Sequence, residues 1–188
     1  MTQLSDAIRS ITDTAGLLDR VVRQSLVLVS AADGASLEMR RSAEELEYVS
    51  AAGTLAHTRG LVLSVHNSLS GRAVLTGEVL RCDDAWTDDR VDRAACRRLG
   101  IRSMLCVPLS SEPDSVAVLK VSSRRPAAFA VDDETRLRRL TGFLHSAGQA
   151  AAQLATVTRA LLDATPDGEP DAARTAEFVA NVIQPGLS

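Results

Sequence analysis

Three cysteines (Cys82, Cys96, Cys106) and three histidines (His57, His66, His145) are the residues of this 188-residue chain suited to thiolate chemistry and to zinc or haem ligation. The cysteines are odd in number and contain no C-x-x-C pair, so their spacing builds neither a zinc site nor a dithiol redox centre. Such thiols more often pack as small apolar side chains. The histidines form no H-x-x-H or His/carboxylate cluster. One of them, His66 or His145, would be enough to ligate haem, but an isolated histidine is more often a surface or hydrogen-bonded group. Arg81 and Arg102, each beside a short apolar run, have the chemistry to contact an anion.

Composition narrows the partners. Net charge is −3, Lys120 is the only lysine, and the arginines are scattered among acids. Without a basic stripe, nucleic acid is not an expected partner. No apolar run reaches the length of a membrane span. Met1 to Asp6 carry no basic segment leading into an apolar run, so the expectation is a cytoplasmic protein with no membrane contact.

Periodicity gives the elements that must position these groups. Leu4, Ile8, Ile11, Ala15, Leu18, Val22, Ser25 and Val29 step by four and three, the seam of an amphipathic helix that Gly16 would kink or divide. Ala35 to Arg40 and Glu45 to Val49 alternate as an antiparallel hairpin, and Gly60 to Val65 is a third strand candidate. Leu69 to Gly77 reads as a short helix stopped by glycine, and Val79 to Cys82 as a short strand. Val91 to Leu99 reads as a second short helix, capped by Asp88 or Asp89 and closed by Gly100. Ser103 to Leu109 and Ser115 to Val121 are paired apolar strands joined through Glu112-Pro113-Asp114. From a cap at Asp132, the positions Leu137, Leu140, Leu144, Ala147, Ala151, Leu154, Thr158 and Leu161 form a heptad-like seam. Residues 166–170 are a Pro/Gly linker, and Ala176, Val179, Ala180 and Ile183 mark a last short helix before Pro185-Gly186. The sum is an α+β fold: a central antiparallel sheet of five to six strands, helices on one face, and long N- and C-terminal helices.

Several stretches resemble one family. Asn67-Ser68-Leu69-Ser70-Gly71-Arg72-Ala73-Val74-Leu75-Thr76-Gly77-Glu78-Val79 is similar to the G-x-x-G-x-x-x-x-T-G segment of GAF domains, with Ser68 in place of the first glycine. Asp83 to Arg90, followed by Leu99-Gly100-Ile101-Arg102-Ser103-Met104-Leu105-Cys106-Val107-Pro108-Leu109, resembles the D-x-x-x-D-x-R and LGIRS-x-L-x-VPL block of the same family. Phe129 to Glu134 resembles its Phe-x-x-x-Asp-Glu entrance to the last helix. The likeness runs from about Leu17 to Leu154 and divides the chain into a helical extension (1–16), the GAF domain with its long last helix (17–163), and a linker with a short helix (164–188).

The resemblance implies a non-catalytic sensory or regulatory module of bacterial signal transduction. It would bind a small molecule, pair with a second copy, or both, beside an output domain or signalling partner. The cofactor stays unnamed. Cyclic-nucleotide-binding relatives carry Asn-Lys where Ser122-Ser123 stands here, leaving Arg124 to pair with Asp133. Bilin-binding relatives place Cys-His farther ahead of the glycine equivalent to Gly100 than Cys96 lies. The enzyme of the family, a free-methionine-(R)-sulfoxide reductase, uses thiolate attack and disulfide resolution; Cys96 falls near one of its cysteine positions, but its G-V-C-G cysteine falls on Ser70. A pure pairing scaffold without ligand is the other reading. The pocket is expected between the sheet and the inserted segment from Leu61 to Leu99, lined by Leu63, Val65, Leu69, Val74, Cys82, Trp86, Met104 and Cys106 with Arg81 and Arg102 near it. Such a lining suits a hydrophobic or mixed ligand better than a phosphorylated one. The seam from Leu137 to Leu161 outruns the sheet, which implies homodimerisation through the terminal helices.

Overall fold

The computed structural model describes residues 14–110, 113 and 115–146. The chain divides into two compact units, Met1–His145 and Ser146–Ser188. The expected extension before Thr14, the seam beyond residue 146, the linker at 166–170 and the last short helix lie outside the described residues.

The elements follow the periodicities. Helix α1 (Thr14–Leu28) buries Val21, Val22 and Ser25 on one stripe. Ser25, the polar member of that stripe, donates its hydroxyl to the Val21 carbonyl one turn back at 2.9 Å, which satisfies it inside the core. Strands β1 (Gly34–Arg40) and β2 (Glu45–Gly53) form the hairpin, with a register shift between Leu37 and Glu38. Then come β3 (Val62–Ser64), α2 (Leu69–Thr76), β4 (Leu80–Cys82), α3 (Arg93–Leu99), β5 (Ser103–Pro108) and β6 (Ala117–Ser123). Residues 131–146 are helical and are called α4. The six strands form one sheet in the order β3-β2-β1-β6-β5-β4, every neighbour antiparallel.

Both faces of the sheet are covered. Leu37, Leu105, Val107, Leu119 and Val121 pack with Val22, Val29, Phe129, Leu137 and Leu144 on the side of the terminal helices. Leu46, Met104, Cys106 and Val118 pack with Val65, Leu69, Val74 and Cys96 on the side of α2 and α3. Cover on two sides explains why β5 and β6 are buried along their whole length and read as near-continuous apolar runs. Leu37, Leu119 and Leu137 are fully buried, each contributing about 1.5–3 kcal/mol relative to exposure.

The helix caps differ from expectation in two places. Asp92, not Asp88 or Asp89, caps α3, accepting the Ala95 N–H at 2.9 Å. Asp88 is instead drawn into the preceding loop by Arg90, and Asp89 pairs with Arg93 at 3.1 Å. At α4 it is Asp133 rather than Asp132 that reaches back, accepting the Ala130 N–H at 3.0 Å. A carboxylate in the third helical position closes the first turn from inside, so the helix begins before Asp132.

Candidate functional site

The inserted segment is held against the sheet by local chemistry legible in its sequence. Ser68, where the family motif has glycine, caps α2: its Oγ accepts the Gly71 N–H at 3.0 Å and donates to the Ser64 carbonyl at 2.7 Å. Gly71 touches the chain just beyond β3, and a Cβ there would lie 1.8 Å from the Val65 carbonyl oxygen. Only glycine permits that approach. Gly77 and Gly100 end α2 and α3 in the left-handed region, at φ 70° and 71°.

These clamps leave a cavity of about 410 Å³ between the sheet and the insert. Its walls are Leu61, Val62 and Leu63 around β3, Leu69 and Ser70 of α2, and Val91, Cys96, Leu99 and Ile101 around α3. From the sheet come Tyr48, Met104 and Lys120, while Asp92 and Arg98 stand at the exposed rim.

The sheet side holds the chain's one lysine in a polar cluster. Lys120 is 4% exposed and its Nζ lies 2.5 Å from Glu38 Oε1, with Glu38 fully buried. The same ammonium donates to Tyr48 Oη at 2.5 Å, and the Ser36 hydroxyl donates to Glu38 Oε1 at 2.9 Å. Glu38 Oε2 has no hydrogen-bond partner among the described residues. Burial pulls the Lys120 pKa down, but Glu38 first, then Tyr48 and Cys106, more than reverse this and hold the ammonium above the ordinary lysine value. Burial, followed by the Glu38 charge, pushes the Tyr48 phenol above its usual range. Lysine and tyrosine therefore both keep their protons at neutral pH.

The expected pocket residues fall into three groups. Leu63, Leu69 and Met104 line the cavity. Val65, Val74, Cys82 and Cys106 are fully buried within the packed layer itself, where their neighbours leave no free face. Cys106 Sγ lies 3.7 Å from Ser70 Oγ. Arg81, Trp86 and Arg102 lie outside the cavity lining: Trp86 belongs to the acidic loop of residues 83–89 after β4, and the two arginines are engaged by that loop's acids. Arg81 pairs with Asp83 at 3.1 Å, and Arg102 holds Asp84 through two bonds of 2.7 and 3.0 Å while its guanidinium stacks 4.2 Å from the Trp86 ring.

The thiols are quiet. Burial pushes Cys82 and Cys106 up to about 12 and also raises Cys96, so little thiolate exists at neutral pH. His66 is a surface group 3.2 Å from Glu44. Asp133 pairs with Arg136 at 3.1 Å, whereas the Arg124 backbone N–H goes to Asp33.

Tyr48 and Lys120 were not among the expected pocket residues. A clue was present: Lys120 interrupts an apolar run at Leu119-Lys120-Val121, and Glu38 interrupts another at Leu37-Glu38-Met39. Opposite charges embedded in two apolar strands point to a buried pair.

An antiparallel sheet with long helices on one face and a short-helix insert roofing a cavity on the other defines the GAF fold. A GAF domain model matches residues 11–151, and the chain belongs to the GAF domain family. The GAF-B domain of DevS from Mycobacterium smegmatis superposes with a TM-score of 0.60 at 23% identity, covering 76% of this chain and 97% of that one. The GAF domain of an Acinetobacter phosphoenolpyruvate-protein phosphotransferase gives 0.61 at 20% identity, covering 83% and 98%. A type II free methionine-R-sulfoxide reductase from Thermoplasma acidophilum gives 0.63 at 16% identity, covering 73% and 94%. At these identities the likeness is one of fold. Among the described residues no helix is long and apolar enough to cross a membrane.

Proposed function

We propose that this chain is a non-catalytic sensory GAF module that binds a small molecule in the cavity beneath α2 and α3. The observation that supports this most directly is the cavity itself. It measures about 410 Å³, is mostly apolar, and carries a few polar groups on one side, which are the size and character of a ligand site. Ligand contact with Leu69 and Cys96 would shift α2 and α3 against the sheet, and the sheet's other face carries the terminal helices that pass the change on.

Native mass spectrometry, compared with the denatured mass, tests the reading. A retained non-covalent mass that disappears in a Met104→Arg variant is the expected result. A clean spectrum, with no stabilisation from a fragment screen, would overturn it in favour of a pairing scaffold.

Reductase activity on free methionine-(R)-sulfoxide is the enzymatic alternative raised by the fold comparison. Ser70 holds a hydroxyl where that chemistry places a cysteine, and the Cys96 and Cys106 thiols are buried and held protonated. Both features favour the non-catalytic reading, and sulfoxide turnover abolished by Cys96→Ser would overturn it. Pairing of two copies through the terminal helices is supported by Val27 on α1 and Phe143 on α4, exposed at 73% and 64%. A dimer in sedimentation that weakens on Phe143→Lys is the expected behaviour.

A further inference from the structure

The polar groups of the cavity restrict what can bind there. Lys120 offers three N–H donors; Glu38 and Tyr48 take two, and the third has no acceptor among the described residues. Tyr48 Oη is used as an acceptor by Lys120, so its own proton remains to be given. The sheet side of the cavity is thus lined by two residues that each keep one donor without an acceptor among the described residues, while the neighbouring walls are Leu63, Leu69, Met104 and Ile101.

Its charge is already balanced. Glu38 is fully buried against the ammonium, and at the rim Arg98 and Asp92 carry opposite signs. A carboxylate or phosphate seated on Lys120 would place a second anion close to Glu38 without a second buried cation, at a desolvation cost that nothing nearby offsets. A neutral carbonyl oxygen has two lone pairs, matches two donors, and brings no net charge.

Resting on the reading of this cavity as a ligand site, we propose that it selects neutral, mainly apolar carbonyl compounds (ketones, lactones, quinones or amides) whose oxygen is held jointly by Lys120 Nζ and Tyr48 Oη. Anionic analogues of the same shape are rejected by Glu38.

Three probes of one shape test this: 2-acetylnaphthalene, the acceptor-free 2-isopropenylnaphthalene, and the anion 2-naphthoate, with dissociation constants measured by ligand-observed NMR on the full chain. The ketone is expected to bind at least about tenfold more tightly than either of the others, the combined effect of one charge-assisted hydrogen bond from Lys120 and one neutral bond from Tyr48. Tyr48→Phe should remove the smaller, neutral part of that advantage, about threefold, and leave the hydrocarbon unchanged. Met104→Trp, which enlarges a side chain of the cavity wall, should weaken all three. Naphthoate binding most tightly, or ketone and hydrocarbon binding alike in both proteins, overturns the inference and leaves the ligand site standing. If none of the three binds, the inference and the ligand-site reading fall together.

Discussion

Replacing Lys120 with methionine keeps a long apolar stem in β6 and deletes the one cation among the described residues that pairs with Glu38. Glu38 is fully buried; it would retain the Ser36 hydroxyl at 2.9 Å on one oxygen, while the other already lacks a partner. Breaking a buried pair in this way costs about 3–5 kcal/mol, against about 0–1 kcal/mol for a surface pair. Glu38→Met should cost a similar amount, because it strands the ammonium. The double variant Glu38→Met/Lys120→Met buries no charge and should recover to within about 1 kcal/mol of the parent, or exceed it. The assay is urea unfolding followed by far-UV circular dichroism, read as a double-mutant cycle. The sign with pH is also fixed. The folded Lys120 pKa lies above its reference value of 10.5, so its contribution is fully present below that pH and is lost only as pH rises through the folded value. The coupling should therefore be the same at pH 6 and pH 9. Single variants that each lose less than about 1 kcal/mol, or a coupling that fades between those two pH values, would refute the reasoning.

Four further outcomes are expected. Gly71→Ala forces a Cβ to within 1.8 Å of the Val65 carbonyl, and should lower stability by about 1–3 kcal/mol in the same urea assay. Asp92→Ala removes the α3 cap and should cost about 1 kcal/mol, with amide exchange accelerated at Ala95. Asp88 is held well below 3.8, chiefly by the Arg90 side chain, so its stabilisation is present above that pH and is lost as pH falls through the lower folded value. Asp88→Asn should accordingly flatten acid unfolding below pH 4, and an unchanged acid limb would contradict the assignment. Cys82, Cys96 and Cys106 are all buried, so Ellman's reagent should react at least about a hundredfold more slowly with the native protein than in urea.

The strands and helices were legible because each amphipathic pattern had a single consistent explanation. Ser115 to Val121 read as an apolar strand paired with Ser103 to Leu109, and Leu69 to Gly77 as a helix that stops at its glycine. Caps were less legible, since Asp88, Asp89 and Asp92 all stand near one helix start, and only the course of the loop decides which reaches the Ala95 N–H. The cavity was legible in place but not in lining. Leu63, Leu69 and Met104 belong to it, whereas Val65, Val74, Cys82 and Cys106 have the same apolar character but pack behind it. Residue type cannot separate a side chain that borders a void from one that fills it. Arg81 and Arg102 were set apart by acids in a loop whose path the periodicity does not report. Tyr48 and Lys120 depend on the pairing of β6 beside β1, a contact between segments about 80 residues apart.

That pairing also governs how the sheet assembles. In the native alignment Lys120 lies opposite Ser36, and Leu119 opposite Leu37. Sliding β6 by one residue exchanges its two faces, which would drive the ammonium among Leu137, Leu144 and Phe129 and leave Glu38 without a counterion. Two adjacent charges thus act as an alignment key for the two middle strands: misthreaded sheets are penalised on both faces at once, and the long apolar runs, which would otherwise tolerate several offsets, close in one.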